Sequence, residues 1–85
     1  KKVAILQNHG ILTTGPSVDI ALWFYMSMER CCQAQLMAES AGKPISVPHE
    51  TAVKTREFIA NDIAAWASYQ PAFDKIIKMQ PDLLD

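Results

Sequence analysis

At 85 residues, 49% of them apolar, with a formal net charge of −1, the chain has room for one small domain and lacks the broad basic footprint of a nucleic-acid-binding surface. A domain of this size buries only about 60 to 65 per cent of its unfolded surface, so part of this apolar content is expected to need a partner. The strongly apolar stretch Ile20–Met28 is far shorter than the ~20 residues that span a bilayer and runs at once into Glu29 and Arg30, so it reads as a core helix and no membrane partner is expected.

The chain opens on Lys1-Lys2-Val3 and enters an apolar run without an initiating Met, which reads as the later part of a longer protein. Val3–Leu6 has the continuous β-branched and aliphatic character of a strand buried on both faces, and Ile11–Thr14 resumes it. Between them lies the polar turn Asn8-His9-Gly10. Gly10 permits a positive φ, so the chain can turn sharply and aim the His9 imidazole away from the sheet into a cleft. Asn8 is expected to hold that geometry by hydrogen-bonding nearby backbone.

Gly15-Pro16-Ser17 then supplies a turn and an N-cap, with Asp19 favourably placed in the first helical turn. A helix is predicted from Val18 to Ala41, where Gly42 is a natural terminator; its 24 residues would extend ~36 Å. Its first half, Ile20 to Met26, is apolar nearly all round and is expected to be buried on more than one side, with Trp23, Phe24 and Tyr25 as core and subunit packing. The second half is more polar and should emerge towards solvent or a cleft. Cys31 and Cys32 diverge by about 100° around the helix, so they read as small packing residues in a reducing, cytoplasmic compartment rather than a disulfide or metal pair.

Lys43–Pro48 is an extended linker fixed by two prolines. A second, amphipathic helix is predicted from about Pro48 to Ser68, with Ala52, Val53, Ile59, Ala60, Ile63, Trp66 and Ala67 on its apolar face and His49 exposed at its start. Tyr69-Gln70-Pro71 is expected to break it. A short last helix follows over Ala72–Met79, ended by Pro81, and Leu83 and Leu84 read as a docked tail.

The run Ile5–Gly15, then Ser17, Ala21 and a long helix ending at Gly42, resembles the class II aldolase/adducin family over roughly the first half of the chain. The resemblance implies an α/β fold: residues 1–85 as the C-terminal part of one three-layer αβα domain, with the metal-turn strands and long helix in 1–47 and a C-terminal helical tail in 48–85. In enzymatic members the histidine of this turn is the third of three that hold a divalent metal, usually zinc. That role carries over to His9, with Asn8 and Gly10 as the supporting turn; the other two histidines and the catalytic glutamate would lie upstream.

The implied function is a metal-dependent lyase. It would cleave by retro-aldol chemistry, epimerise or dehydrate a sugar phosphate or hydroxy-keto acid through a metal-stabilised enediolate, as part of carbohydrate metabolism. These 85 residues hold no complete active site. The alternative is an adducin-like scaffold without metal chemistry. The resemblance also implies a homo-oligomer, typically a tetramer, and the large apolar residues from Trp66 to Leu84 are expected at or near a subunit boundary. Made alone, the chain is expected to aggregate or stay molten, because its strands have unpaired edges.

Overall fold

The computed structural model describes residues 2–84 and gives the order β1 (Val3–Leu6), β2 (Gly10–Thr13), α1 (Val18–Ala41), α2 (His49–Ile59) and α3 (Asp62–Met79). β1 and β2 form an antiparallel hairpin in which Val3 faces Thr13 and Leu6 faces Gly10. The Thr14 amide extends this ladder by donating to the Lys2 carbonyl at 3.0 Å. Two strands followed by helices is the order expected from the sequence.

α1 spans the predicted residues. The Ser17 hydroxyl accepts from the Ile20 amide at 3.3 Å, and the Gly42 amide closes the last turn on the Ala38 carbonyl at 3.1 Å. Gly42 does so in extended backbone, at φ 164°, so its lack of a side chain is not what ends the helix. Gly15 is different. A Cβ there would lie 2.9 Å from Ile20 Cγ2 and 3.1 Å from the Ala21 amide nitrogen, so only glycine lets the strand exit pass this close to the first turn of α1.

Ile20 and Phe24, one turn apart on α1, are buried and meet the fully buried Ala65 of α3, with Val3 and Trp23 packed against them. The hairpin and α3 thus cover α1 from two directions. α1 is buried on those sides only, and Tyr25 is 43% exposed. β1 is open on both faces apart from a half-buried Val3, because the sheet has two strands among the described residues; the expected burial of this strand on both faces is not reached there. The radius of gyration, 15.3 Å, exceeds the ~12 Å of a compact chain of this length. Such a shape leaves Ile45, Phe58 and Ile63 more than 80% exposed.

The helical second half departs from the sequence reading. The amphipathic pattern predicted to run to Ser68 breaks at Ala60–Asn61, because Asn61 serves both helix ends. Its side-chain amide donates to the Phe58 carbonyl at 2.9 Å, and its side-chain oxygen accepts from the Ala64 amide at 2.8 Å, which caps α3. The break predicted at Tyr69–Pro71 does not occur, and Pro71 lies inside α3. The carbonyl it leaves without a donor belongs to the exposed Ala67, where solvent can satisfy it. Ties beside it hold the helix in line: Gln70 donates to Asp19 on α1 at 3.1 Å, and the Tyr69 and Phe73 rings sit 6.4 Å apart. Leu83 and Leu84 are not docked on this chain; they are 47% and 72% exposed beyond a short turn closed by the Leu83 amide on the Gln80 carbonyl.

The two glycines make a matched test. In a longer polypeptide that carries these residues, Gly15→Ala should cost about 1–3 kcal/mol by overpacking, whereas Gly42→Ala should be neutral or stabilise by about 0.4–1 kcal/mol. Denaturant unfolding of both variants measures this. Equal effects would contradict the close approach at Gly15.

Candidate functional site

The hairpin connection, Gln7-Asn8-His9, holds the one sequence-predicted ligand. The His9 amide donates to the Leu6 carbonyl at 3.1 Å, which closes a four-residue turn with Asn8 in its third position. Asn8 has φ 58°, the left-handed conformation that this position of a type II turn demands and that Asn tolerates better than other residues with a side chain. Gly10 follows at φ 132° and opens β2. His9 is therefore held between two residues of positive φ.

Among the described residues the Asn8 side chain makes none of the backbone hydrogen bonds expected of it; its contribution lies in its φ. The freedom expected of Gly10 is used. Nor does the imidazole enter a cleft formed by this chain. His9 is exposed at the hairpin tip, and no protein group among the described residues hydrogen-bonds its ring. The larger grooves lie elsewhere. One of about 560 Å³ is bounded by Lys2, Val3, Phe24, Arg56 and neighbours at the α2–α3 joint, and an apolar one of about 470 Å³ lies between Ile5 and the Met28–Leu36 face of α1.

The base of the hairpin is fixed more firmly than its tip. The Thr13 hydroxyl donates to the Ala21 carbonyl at 2.8 Å, locking the end of β2 to the first turns of α1. Lys2 lies over the Phe24 ring, 5.1 Å from its centroid, and its ammonium donates to the Ala60 carbonyl at the end of α2. Neither contact was foreseen from the sequence. Thr13 alternates with the exposed Leu12, which is the signal that its side chain turns inward, but a hydroxyl's partner on another element is not written in a local pattern.

No group of three or more His, Cys, Asp or Glu that could hold a metal occurs among the described residues. His9 is brought next to no other candidate ligand. His49 is exposed at the start of α2, as expected, and Cys31 and Cys32 are free thiols, Cys31 exposed rather than packed. No helix among the described residues is long and apolar enough to cross a membrane.

The sequence profile of the Class II Aldolase and Adducin N-terminal domain matches residues 1–36, which take in the hairpin, its turn and more than half of α1. Over these residues the chain carries the sequence pattern of the class II aldolase/adducin family. The fold of family members extends over nearly all of it: L-fuculose 1-phosphate aldolase from Glaciozyma antarctica PI12 superposes with a TM-score of 0.91 at 35% identity, covering 96% of this chain and 33% of that one. Decarboxylase NovR of Streptomyces niveus is 38% identical over 82 residues, 96% of this chain and 30% of NovR. A Streptomyces roseochromogenus subsp. oscitans protein, 4-hydroxy-3-prenylphenylpyruvate oxygenase/4-hydroxy-3-prenylbenzoate synthase, is 35% identical over the same share of each chain. The chain thus spans about a third of the length of the relatives it matches. The α/β architecture expected from the sequence, two strands and then helices of a class II aldolase-like domain, is the one this family carries.

Proposed function

We propose that this chain forms part of a metal-dependent lyase of the class II aldolase type and that His9 is one ligand of its divalent metal, with zinc the first choice. The observation that carries this reading is the state of the His9 ring. The ring is exposed at the hairpin tip and makes no hydrogen bond to protein among the described residues, so a ring nitrogen is accessible to a metal. An open imidazole suits a zinc ligand, which binds through neutral nitrogen. Since no second donor lies with it, the remaining ligands would come from outside these residues, and the exposed position leaves room for them.

Within this scheme the chain's own residues have a limited task. Asn8 and Gly10 hold the turn, His9 offers one nitrogen, and Thr13 and Lys2 anchor the hairpin so that the tip keeps its place relative to α1. A divalent ion, when bound, would supply Lewis-acid polarisation of a substrate carbonyl. The substrate class we propose is a sugar phosphate or a hydroxy-keto acid. The names aldolase and decarboxylase, borne by the neighbour and a relative, both denote cleavage of a carbon–carbon bond, a reaction that such polarisation assists. The adducin-like scaffold is the second reading, and it draws on exposed apolar residues such as Phe58 and Ile63 as partner surface.

We further propose a homo-oligomer with the segment from Trp66 to Leu84 near a subunit boundary. Trp66, Met79 and Leu84 are 51%, 66% and 72% exposed, and covering an aliphatic or Met side chain is worth roughly 1.5–3 kcal/mol.

Two measurements test these proposals. Zinc analysis of the intact protein should find metal in the wild type and a loss of most of it, with activity, in His9→Ala. Equal zinc in both would remove His9 from the site, and a wild type that takes up no divalent metal would favour the scaffold. Truncation after Tyr69, followed by light scattering, should yield a folded protein with fewer subunits. An unchanged number of subunits would make the segment an internal clasp.

A further inference from the structure

The apolar groove of about 470 Å³ between β1 and α1 carries three sulfur atoms on its helical wall. Met28, Cys31 and Cys32 stand at positions i, i+3 and i+4 of α1 and all line it, with Ile5 of β1 opposite and Gln35 and Leu36 one turn further along. Residues three and four apart on a helix lie about 5–6 Å from each other at Cβ, so Met28 neighbours both cysteines. Each Cα–Cβ bond leans towards the helix N-terminus, which tilts the two side chains back over the turn that carries Met28. Alone, Cys31 and Cys32 diverge too far to make a metal pair. Met28 lies between them around the axis, about 60° from one and about 40° from the other, and its long, flexible side chain supplies the third sulfur to the gap they leave.

The donors are accessible and of one chemical kind. Both thiols are free, Cys31 is exposed, and Met28 and Cys32 are half-buried. No carboxylate, imidazole or hydroxyl lines the groove, and Gln35 is the one polar side chain in its wall. Thiolate and thioether sulfur are soft donors that suit Cu(I), whereas Zn²⁺ is bound by thiolate, imidazole and carboxylate and draws nothing from a methionine.

We propose that Met28, Cys31 and Cys32 form a site for a soft monovalent cation, Cu(I), held by two thiolates and one thioether. Binding releases the two thiol protons to water and leaves the oxidation states of copper and sulfur unchanged. Ile5 and Leu36 flank the donors with hydrocarbon and add no harder ligand. The inference does not rest on the reading of His9.

The test is Cu(I) affinity of the intact, reduced protein under argon, measured by competition with bicinchoninate for wild type, Cys31→Ala, Cys32→Ala, Met28→Leu and His9→Ala, with circular dichroism to establish that each is folded. Loss of an outer-shell partner already weakens metal sites by about 10- to 100-fold, so each alanine variant at a cysteine is expected to bind about 100-fold more weakly. Met28→Leu keeps the apolar volume and removes only the sulfur, and it should bind about tenfold more weakly. His9→Ala should bind as wild type does. X-ray absorption at the copper edge of the wild type should show sulfur neighbours and no nitrogen. A wild type that cannot withhold Cu(I) from the chelator would overturn the inference, as would cysteine variants that hold it equally well. Unchanged affinity in Met28→Leu would overturn the three-sulfur site, and a loss in His9→Ala would move the ion to the hairpin tip. Should a cysteine variant fail to fold, Met28→Leu and the wild-type copper-edge spectrum still decide.

Discussion

The contact of the β2 exit with the first turns of α1 is the constraint on which the rest of this structure depends. Gly15 has no side chain, so the backbone passes within van der Waals distance of Ile20. That approach lets Thr13 reach the Ala21 carbonyl and brings Val3 onto the Ile20–Phe24 stripe. Ala65 closes the same stripe from α3, and its methyl group is small enough for the two helices to come together there. Three buried residues are a small core. At roughly 1.5–3 kcal/mol for each large side chain, Ile20 and Phe24 cannot offset the ordering of more than eighty residues, so other surfaces must be covered for the fold to be stable.

The same arrangement gives the turn its character. The hairpin is pinned at its base by a hydroxyl to a helix carbonyl and by Lys2 over Phe24, while its tip extends free of the core. Rigidity at the tip therefore comes from the backbone of the turn itself. His9 stands at this tip between two residues of positive φ. Local backbone strain of this kind persists where surrounding structure determines it, and the strand register supplies that determination.

Much of this was legible in the residues, and the failures have identifiable causes. Ser17 and the uninterrupted run to Ala41 marked α1 to its ends, because capping and helix length are local. Asn8-His9-Gly10 was recognisable as a turn, and Gly10 as its hinge. The left-handed residue was harder to see, since Asn also serves turns through its side chain and the sequence does not say which use prevails. Asn61 escaped notice because the apolar spacing runs on past it: Ile59, Ile63 and Trp66 keep helical period across a break that two capping contacts create. Pro71 misled in the opposite direction. A proline is usually a stop, but here the ties of Gln70 to Asp19 and of α3 to α1 hold the helix through it. Leu83 and Leu84 read as a docked tail from their apolar character alone, but a local pattern does not say what surface would meet them, and here they stay exposed.

The central claim is that the imidazole at the hairpin tip touches metal. Paramagnetic NMR tests it most directly, with cobalt loaded into the intact protein and the histidine rings isotopically labelled. The account predicts that the His9 ring signals move far outside the ordinary range on cobalt binding, while those of His49, exposed on α2 in another part of the fold, stay near their cobalt-free positions. His9 signals that remain at their diamagnetic positions while cobalt is bound would contradict it.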